Sequence, residues 1–128
     1  MENKQPIRRQ NYSALGQPVG PYCHATAFNG LLFISGLTAY DDSGVSKPMD
    51  QQIDAIFAQI RRITEAEGVG LDRVLKVTAY IKSTEHLALV REGLNRHYQG
   101  AYPASTLVEV SGFFSPEVDI EIEAVAAL

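Results

Sequence analysis

The run Tyr22-Cys23-His24-Ala25-Thr26-Ala27-Phe28-Asn29-Gly30-Leu31-Leu32-Phe33-Ile34-Ser35 holds two apolar stretches separated by a single turn dipeptide. Asn-Gly suits the two central positions of a type I′ turn, where φ is positive, so the spacing predicts a two-residue β-hairpin. A loop of that length sets Phe28 opposite Leu31, Thr26 opposite Phe33 and His24 opposite Ser35. Side chains alternate along a strand. Tyr22, His24, Thr26, Phe28, Phe33 and Ser35 therefore share one face, and Cys23, Ala25, Ala27, Leu32 and Ile34 the other. Neither face is strongly polar, so both need a cover, and a single helix layer can supply only one.

Outward from the hairpin, residues 1–18 are polar and read as a loosely held arm, and Asp41-Asp42-Ser43-Gly44 reads as a turn. Ile53, Ile56, Phe57, Ile60 and Ile63 keep helical spacing, which predicts a helix over residues 50–67, ended by Gly68 and Gly70. Residues 74–81 alternate as a strand, with Leu75, Val77, Ala79 and Ile81 expected on one face. A second helix follows Ser83-Thr84 and runs to about residue 98 on the stripe Leu87, Val90, Leu94 and Tyr98. Pro103 marks a loop, and residues 106–110 and 118–126 read as the last strands. The order hairpin, helix, strand, helix, strand, strand predicts an α+β domain, two helices on one face of a mixed sheet.

The chain has 128 residues, enough for one domain, and 45% of them are hydrophobic. The net charge is -4. Nucleic-acid binding draws on a basic stripe that neutralises phosphates, and here Arg8-Arg9 and Arg61-Arg62 are isolated pairs, so no nucleic-acid partner is expected. No apolar run reaches membrane-spanning length, and residues 1–10 carry no apolar leader core, so no membrane partner and a cytoplasmic location are expected. The lone Cys23 excludes an internal disulfide. It and His24, His86 and His97 show no metal-ligand spacing, and no phosphate-loop or dinucleotide fingerprint is present, so neither a metal nor a cofactor is expected.

On the last strand, Val118, Ile120, Ile122 and Ala124 point one way and Asp119, Glu121 and Glu123 the other. Three carboxylates on one face repel one another and need water or basic partners. They are either a solvated edge or part of a site where partial burial raises a carboxyl pKa toward general acid–base work. Lys76 is the candidate partner of Glu123. His24 opposite Ser35 invites a Ser–His pair, but no third orienting acid is evident nearby, so none is expected. Arg91 follows Leu87 by four residues and precedes Leu94 by three, which sets a charge beside the apolar stripe. It either snorkels to solvent or has a partner.

The segments Gly20-Pro21-Tyr22, Tyr102-Pro103-Ala104-Ser105-Thr106-Leu107-Val108-Glu109-Val110 and Asp119-Ile120-Glu121-Ile122-Glu123-Ala124 resemble the Rid family, the YjgF-type reactive-intermediate deaminases. The resemblance spans about residues 19–126. It implies a chorismate-mutase-like fold, a homotrimer, and three sites in clefts between subunits; a trimer would cover the second sheet face. It implies that Glu121 handles a proton or orients the attacking water, that Tyr22 helps position substrate or water, and that Ser35 lines the site. Deaminating members carry an arginine where this chain has Ser105, and that arginine holds the substrate carboxylate. An arginine–carboxylate fork makes two charge-assisted bonds, each worth roughly 1.5–3 kcal/mol, so a small 2-iminocarboxylate should bind about 100-fold or more weakly here. Ser105, with its neighbour Thr106, would bind polar substrate groups, and Arg91 is a candidate relocated anion clamp.

The function these residues point to is hydrolysis of an enamine or imine to a carbonyl compound and ammonia, without cofactor. The substrate would differ from 2-aminoacrylate, and aminomuconate-type compounds are among those the resemblance implies. The alternative is a small-metabolite-binding protein that keeps the inter-subunit cleft and performs no chemistry.

Overall fold

The computed structural model describes residues 4–40 and 47–128. Its elements run β1 (Arg8–Gln10), β2 (Ala25–Phe28), β3 (Leu31–Leu37), α1 (Met49–Ala66), β4 (Val74–Ile81), α2 (Leu87–Tyr98), β5 (Ala104–Glu109) and β6 (Ile120–Ala127), with 3-10 turns at Ser13–Leu15, Leu71–Arg73 and Thr84–His86. The turn expected at Asp41-Asp42-Ser43-Gly44 lies outside the described residues. The hairpin has the register that its loop length dictates: Phe28 faces Leu31 and Thr26 faces Phe33, and the Ser35 amide donates to the His24 carbonyl at 3.0 Å. Asn29 and Gly30 sit at φ 54° and 81°, the paired positive values of a type I′ turn.

The strands form one sheet in the order β1-β2-β3-β6-β4-β5. β4 and β5 are parallel, and the other pairs are antiparallel. Both helices lie on one face, so this is the expected α+β architecture. Ile53, Ile56, Phe57, Ile60 and Ile63 of α1 and Val90 and Leu94 of α2 pack on Leu32, Ile34, Val77, Ala79, Ile81, Ile120 and Ile122 of the sheet. Each of the Ile, Leu, Val and Phe side chains among them contributes roughly 1.5–3 kcal/mol by leaving water. The helices approach closely at Gly93, where an added Cβ would come within 3.0 Å of Ile53 Cδ1.

Two expectations change. Leu75 does not share a face with Val77, Ala79 and Ile81. The pairing with β6 slips between Val74 and Lys76, inserting a residue, so Val74 turns into the core and Leu75 stands 48% exposed. The stretch expected as a loose arm is tied down from Arg8 onward. Arg8, Arg9 and Gln10 pair with Ala27, Thr26 and Ala25. The Arg8 guanidinium forks onto Glu67 at 2.6 and 3.1 Å, and the buried Tyr12 donates its hydroxyl to the same carboxylate at 2.8 Å.

A buried glutamine that composition gives no hint of fixes the start of β6. The Gln52 side chain is fully buried, donates to Asp119 Oδ2 at 3.0 Å and to the Lys47 and Glu117 carbonyls, and accepts from the Asp119 amide at 3.0 Å. It anchors the first turn of α1 to the chain entering β6. From there, alternation does the rest: Ile120, Ile122 and Ala124 face the helices, and Glu121 and Glu123 face away.

Candidate functional site

Glu121 opens into a cleft of about 840 Å³ between the Tyr12–Tyr22 segment, the end of β3 and the loop before β6. Its neighbours across the cleft are Tyr22, His24, Ser35, Gly36, Tyr40 and Phe114, with Gln59 of α1 at the margin. β3 departs from its regular pairing with β6 between Ile34 and Leu37, and Ser35 and Gly36 fall in that irregularity. There the backbone and the carboxylate meet. A Cβ on Gly36 would lie 2.7 Å from Glu121 Oε2 and 2.9 Å from its Cδ, so only glycine leaves the carboxyl this position. The sequence carried one sign of it, an isolated glycine inside a strand pattern, which marks a bulge or close approach.

Burial raises the Glu121 pKa above the usual carboxylate range, and the charge of Glu123 on the same face raises it further. Among the described residues no side chain donates a hydrogen bond to Glu121. Glu123 differs: it accepts from the Tyr80 hydroxyl, whose own pKa that bond pushes up. The expected Lys76 partner is replaced, because Lys76 instead donates to Thr106 Oγ1 at 2.5 Å. Of the two glutamates on this face of β6, one is thus held by a tyrosine, and the other has no hydrogen-bonding side-chain partner among the described residues.

The Ser–His pair does not form. Ser35 Oγ donates to the Cys23 carbonyl at 2.7 Å. His24 is buried and accepts the Tyr12 amide on Nδ1 at 2.9 Å, and its ring stacks on Tyr12 at 6.1 Å. Burial lowers its pKa, which keeps the ring neutral. His24 thereby pins the segment that forms one wall of the cleft. Tyr22, on that wall, is 47% exposed.

The other sequence candidates stand elsewhere in the chain. Ser105 pairs with Val77 on β5, the edge strand, so it projects to the helix side of the sheet, opposite to Glu121. Thr106 pairs with Thr78, which pairs with Glu123, and so lies on the same face as Glu121 but near the far edge. Arg91 is exposed on α2 and does not line the cleft. One chain therefore gathers Glu121, Tyr22 and Ser35 and leaves Ser105, Thr106 and Arg91 apart. His97, on the helix side, is held by Asp54 at 2.7 Å and stacks on Phe57 at 4.5 Å. Among the described residues no group of three His, Cys, Asp or Glu side chains could hold a metal ion, and no helix is long and apolar enough to cross a membrane.

The crystal structure of the YjgF gene product of E. coli superposes with a TM-score of 0.78 at 24% identity, covering 86% of this chain and 90% of that one, so the mixed sheet backed by two helices is a YjgF-type fold. The family model described as endoribonuclease L-PSP matches residues 13–128, and the chain belongs to that family, the Rid or YjgF family. A RutC family protein of Pyrococcus horikoshii is 34% identical over 113 residues, covering 86% of this chain and 89% of the relative. A protein of Dermatophagoides farinae named 2-iminobutanoate/2-iminopropanoate deaminase is 23% identical over 115 residues, covering 88% and 89%. The crystal structure of a Rid family protein of unknown function from Yersinia pestis superposes with a TM-score of 0.87 at 25% identity, covering 96% of this chain and all of that one.

Proposed function

We propose that the cleft hydrolyses the C=N bond of an imine, or of an enamine after tautomerisation, to a carbonyl compound and ammonia. The observation that carries this reading is the Glu121 carboxyl, unpaired among the described residues, half-buried and raised in pKa, in the lining of the cleft. A carboxylate of raised proton affinity can take a proton and return it. Water adds to the imine carbon, and the C=N electron pair moves to nitrogen. Glu121 accepts the proton lost by water and delivers it to that nitrogen. Glu121 then takes the hydroxyl proton of the carbinolamine and passes it to the amino nitrogen, so that C=O forms as the C–N bond breaks and neutral ammonia leaves. The Tyr22 hydroxyl hydrogen-bonds the water or the nitrogen. The name carried by the Dermatophagoides farinae relative supports this class of reaction.

The site we propose is completed in a homotrimer. Phe28 and Phe33 stand 44% and 46% exposed on the sheet face that the helices leave open, which a second copy would cover. Ser105 lies on the wrong face of its own sheet to reach Glu121, so it joins the cleft only from a neighbouring copy, with Thr106 beside it. Sedimentation equilibrium of the full chain checks the assembly, with three times the 14.0 kDa chain mass expected.

The chemistry is tested by ammonia release from imines formed in situ by oxidation of amino acids and of primary amines, after subtraction of spontaneous hydrolysis. Wild type should accelerate release, and Glu121→Ala should lose about 100-fold or more. No acceleration of any imine by the wild type would favour a second reading, a metabolite-binding protein without turnover. That reading draws on the Ser35 hydroxyl, already committed to the Cys23 carbonyl.

A further inference from the structure

On the open face of the sheet, Glu121 stands between two other carboxylates of its own segment. Asp119 and Glu123 each lie two residues away, about 7 Å by strand rise. Lys82 Nζ stands 3.3 Å from Asp119 Oδ1, and the Gln52 side-chain amide donates to Oδ2 at 3.0 Å, so a cation answers that charge. Glu123 accepts instead from the Tyr80 hydroxyl. That partner is neutral, and its bond to Glu123 pushes its own pKa up, which keeps the proton on the phenol. A neutral donor satisfies a carboxylate without cancelling its charge. The segment thus neutralises one neighbour of Glu121 and preserves the other.

The pairing of β4 with β6 fixes this arrangement. Tyr80 is directly opposite Glu121, and Thr78 is opposite Glu123. The Lys82 amide donates to the Asp119 carbonyl at 3.1 Å. Tyr80 therefore reaches diagonally to Glu123, a span that aromatic side chains cover, and its hydroxyl is not bonded to Glu121. Lys76, farther along β4 on the same face, donates to Thr106 Oγ1 at 2.5 Å rather than to Glu123. The other titratable side chains that line the cleft within the chain are Tyr22, Tyr40 and His24, the last kept neutral by burial. The neighbouring copy proposed to complete the cleft brings its Lys76 along with its Thr106, so one further cation approaches from outside the chain. Burial is the first cause of the raised Glu121 pKa, and the charge of Glu123 is the second.

We infer that Tyr80 is a positioning residue: it holds Glu123 beside Glu121 as an uncancelled negative charge, and the pair sets the pH range over which Glu121 exchanges its proton. The inference rests on the imine-hydrolase reading for the use of that proton, and on the register of β4 and β6 for the charges around it. A like charge close by makes the Glu121 carboxylate a stronger base toward the attacking water. Tyr80 itself touches no reacting atom.

The experiment uses the assembled full chain with its glutamates labelled at the side-chain carboxyl carbon. The NMR signal of Glu121, assigned by its loss in Glu121→Gln, is followed against pH, and kcat/KM for imine hydrolysis over the same range. Glu123→Gln should lower the Glu121 midpoint by about half a pH unit or more, because charges about 7 Å apart interact even beside water. Tyr80→Phe should lower it by less, because Glu123 is then free to turn toward water or Lys76. The acidic limb of kcat/KM should move with the midpoint in both variants. An unmoved midpoint in Tyr80→Phe overturns the role given to Tyr80. An unmoved or raised midpoint in Glu123→Gln overturns the whole inference, above all if Lys76→Met moves it instead. Midpoints that fall in both variants without acceleration of any imine would uphold the pair and remove the hydrolase.

Discussion

The two faces of β6 perform opposite tasks with residues one position apart. Ile120 and Ile122 are fully buried under the helices, where only volume and apolarity matter. Glu121, between them, looks into a cleft where burial is incomplete and its carboxyl lacks the partner that Glu123 has in Tyr80. In the proposed reading, the sheet separates stability from chemistry by side-chain alternation alone. A similar division runs through β3, where Ile34 fills the core and the next residues, Ser35 and Gly36, line the cleft.

If that division is real, each face can be damaged without the other. The largest effect belongs to the helix side: Ile122→Ala should cost about 3 kcal/mol of unfolding free energy, read from urea melts, because it leaves a cavity in a packed interior. The folded fraction should keep wild-type activity per molecule. A matching loss of kcat in the folded fraction would break the comparison. On the open side, Gly36→Ala forces Glu121 Oε2 from its 2.7 Å approach, and the glutamate can swing aside where the backbone cannot. We expect about a tenfold fall in kcat with a melting temperature close to wild type. Cooperative destabilisation instead would show that Glu121 and Gly36 serve the fold.

The smallest effect tests the electrostatics. Folding raises the Glu121 pKa, so between the unfolded and folded values the native state holds the extra proton and stability falls as pH rises. The penalty is complete above the folded value and absent below the unfolded one. Glu121→Gln removes it. The variant should therefore melt at a higher temperature than wild type at about pH 8, with the difference vanishing toward about pH 4. A variant that melts lower at about pH 8 would mean that the carboxylate has a stabilising partner.

Much of this could be read from the chain because the relevant forces are local. Asn29-Gly30 set the hairpin register, and the helical spacing of Ile53 to Ile63 set α1 to within a residue at each end. The alternation in β6 gave the side on which Glu121 stands. What stayed hidden depends on contacts between distant segments. The slip at Leu75 answers to pairing with β6, and nothing within residues 74–81 records it. Arg8 and Tyr12 look like parts of a polar arm until Glu67, more than fifty positions away, accepts hydrogen bonds from both. The same is true of Lys76, which finds Thr106 rather than Glu123.

The sequence by itself determined the order of elements from the hairpin onward, the faces of the hairpin, the family and the side of β6 on which Glu121 stands, because periodicity and short motifs encode neighbours in the chain. The tertiary structure decided which candidates meet. It brought Tyr22, Ser35, Gly36 and Glu121 to one cleft and turned Ser105 to the opposite face of the sheet. Those outcomes depend on strand register and on the order β3-β6-β4-β5, which are settled only when segments far apart in sequence compete for the same core.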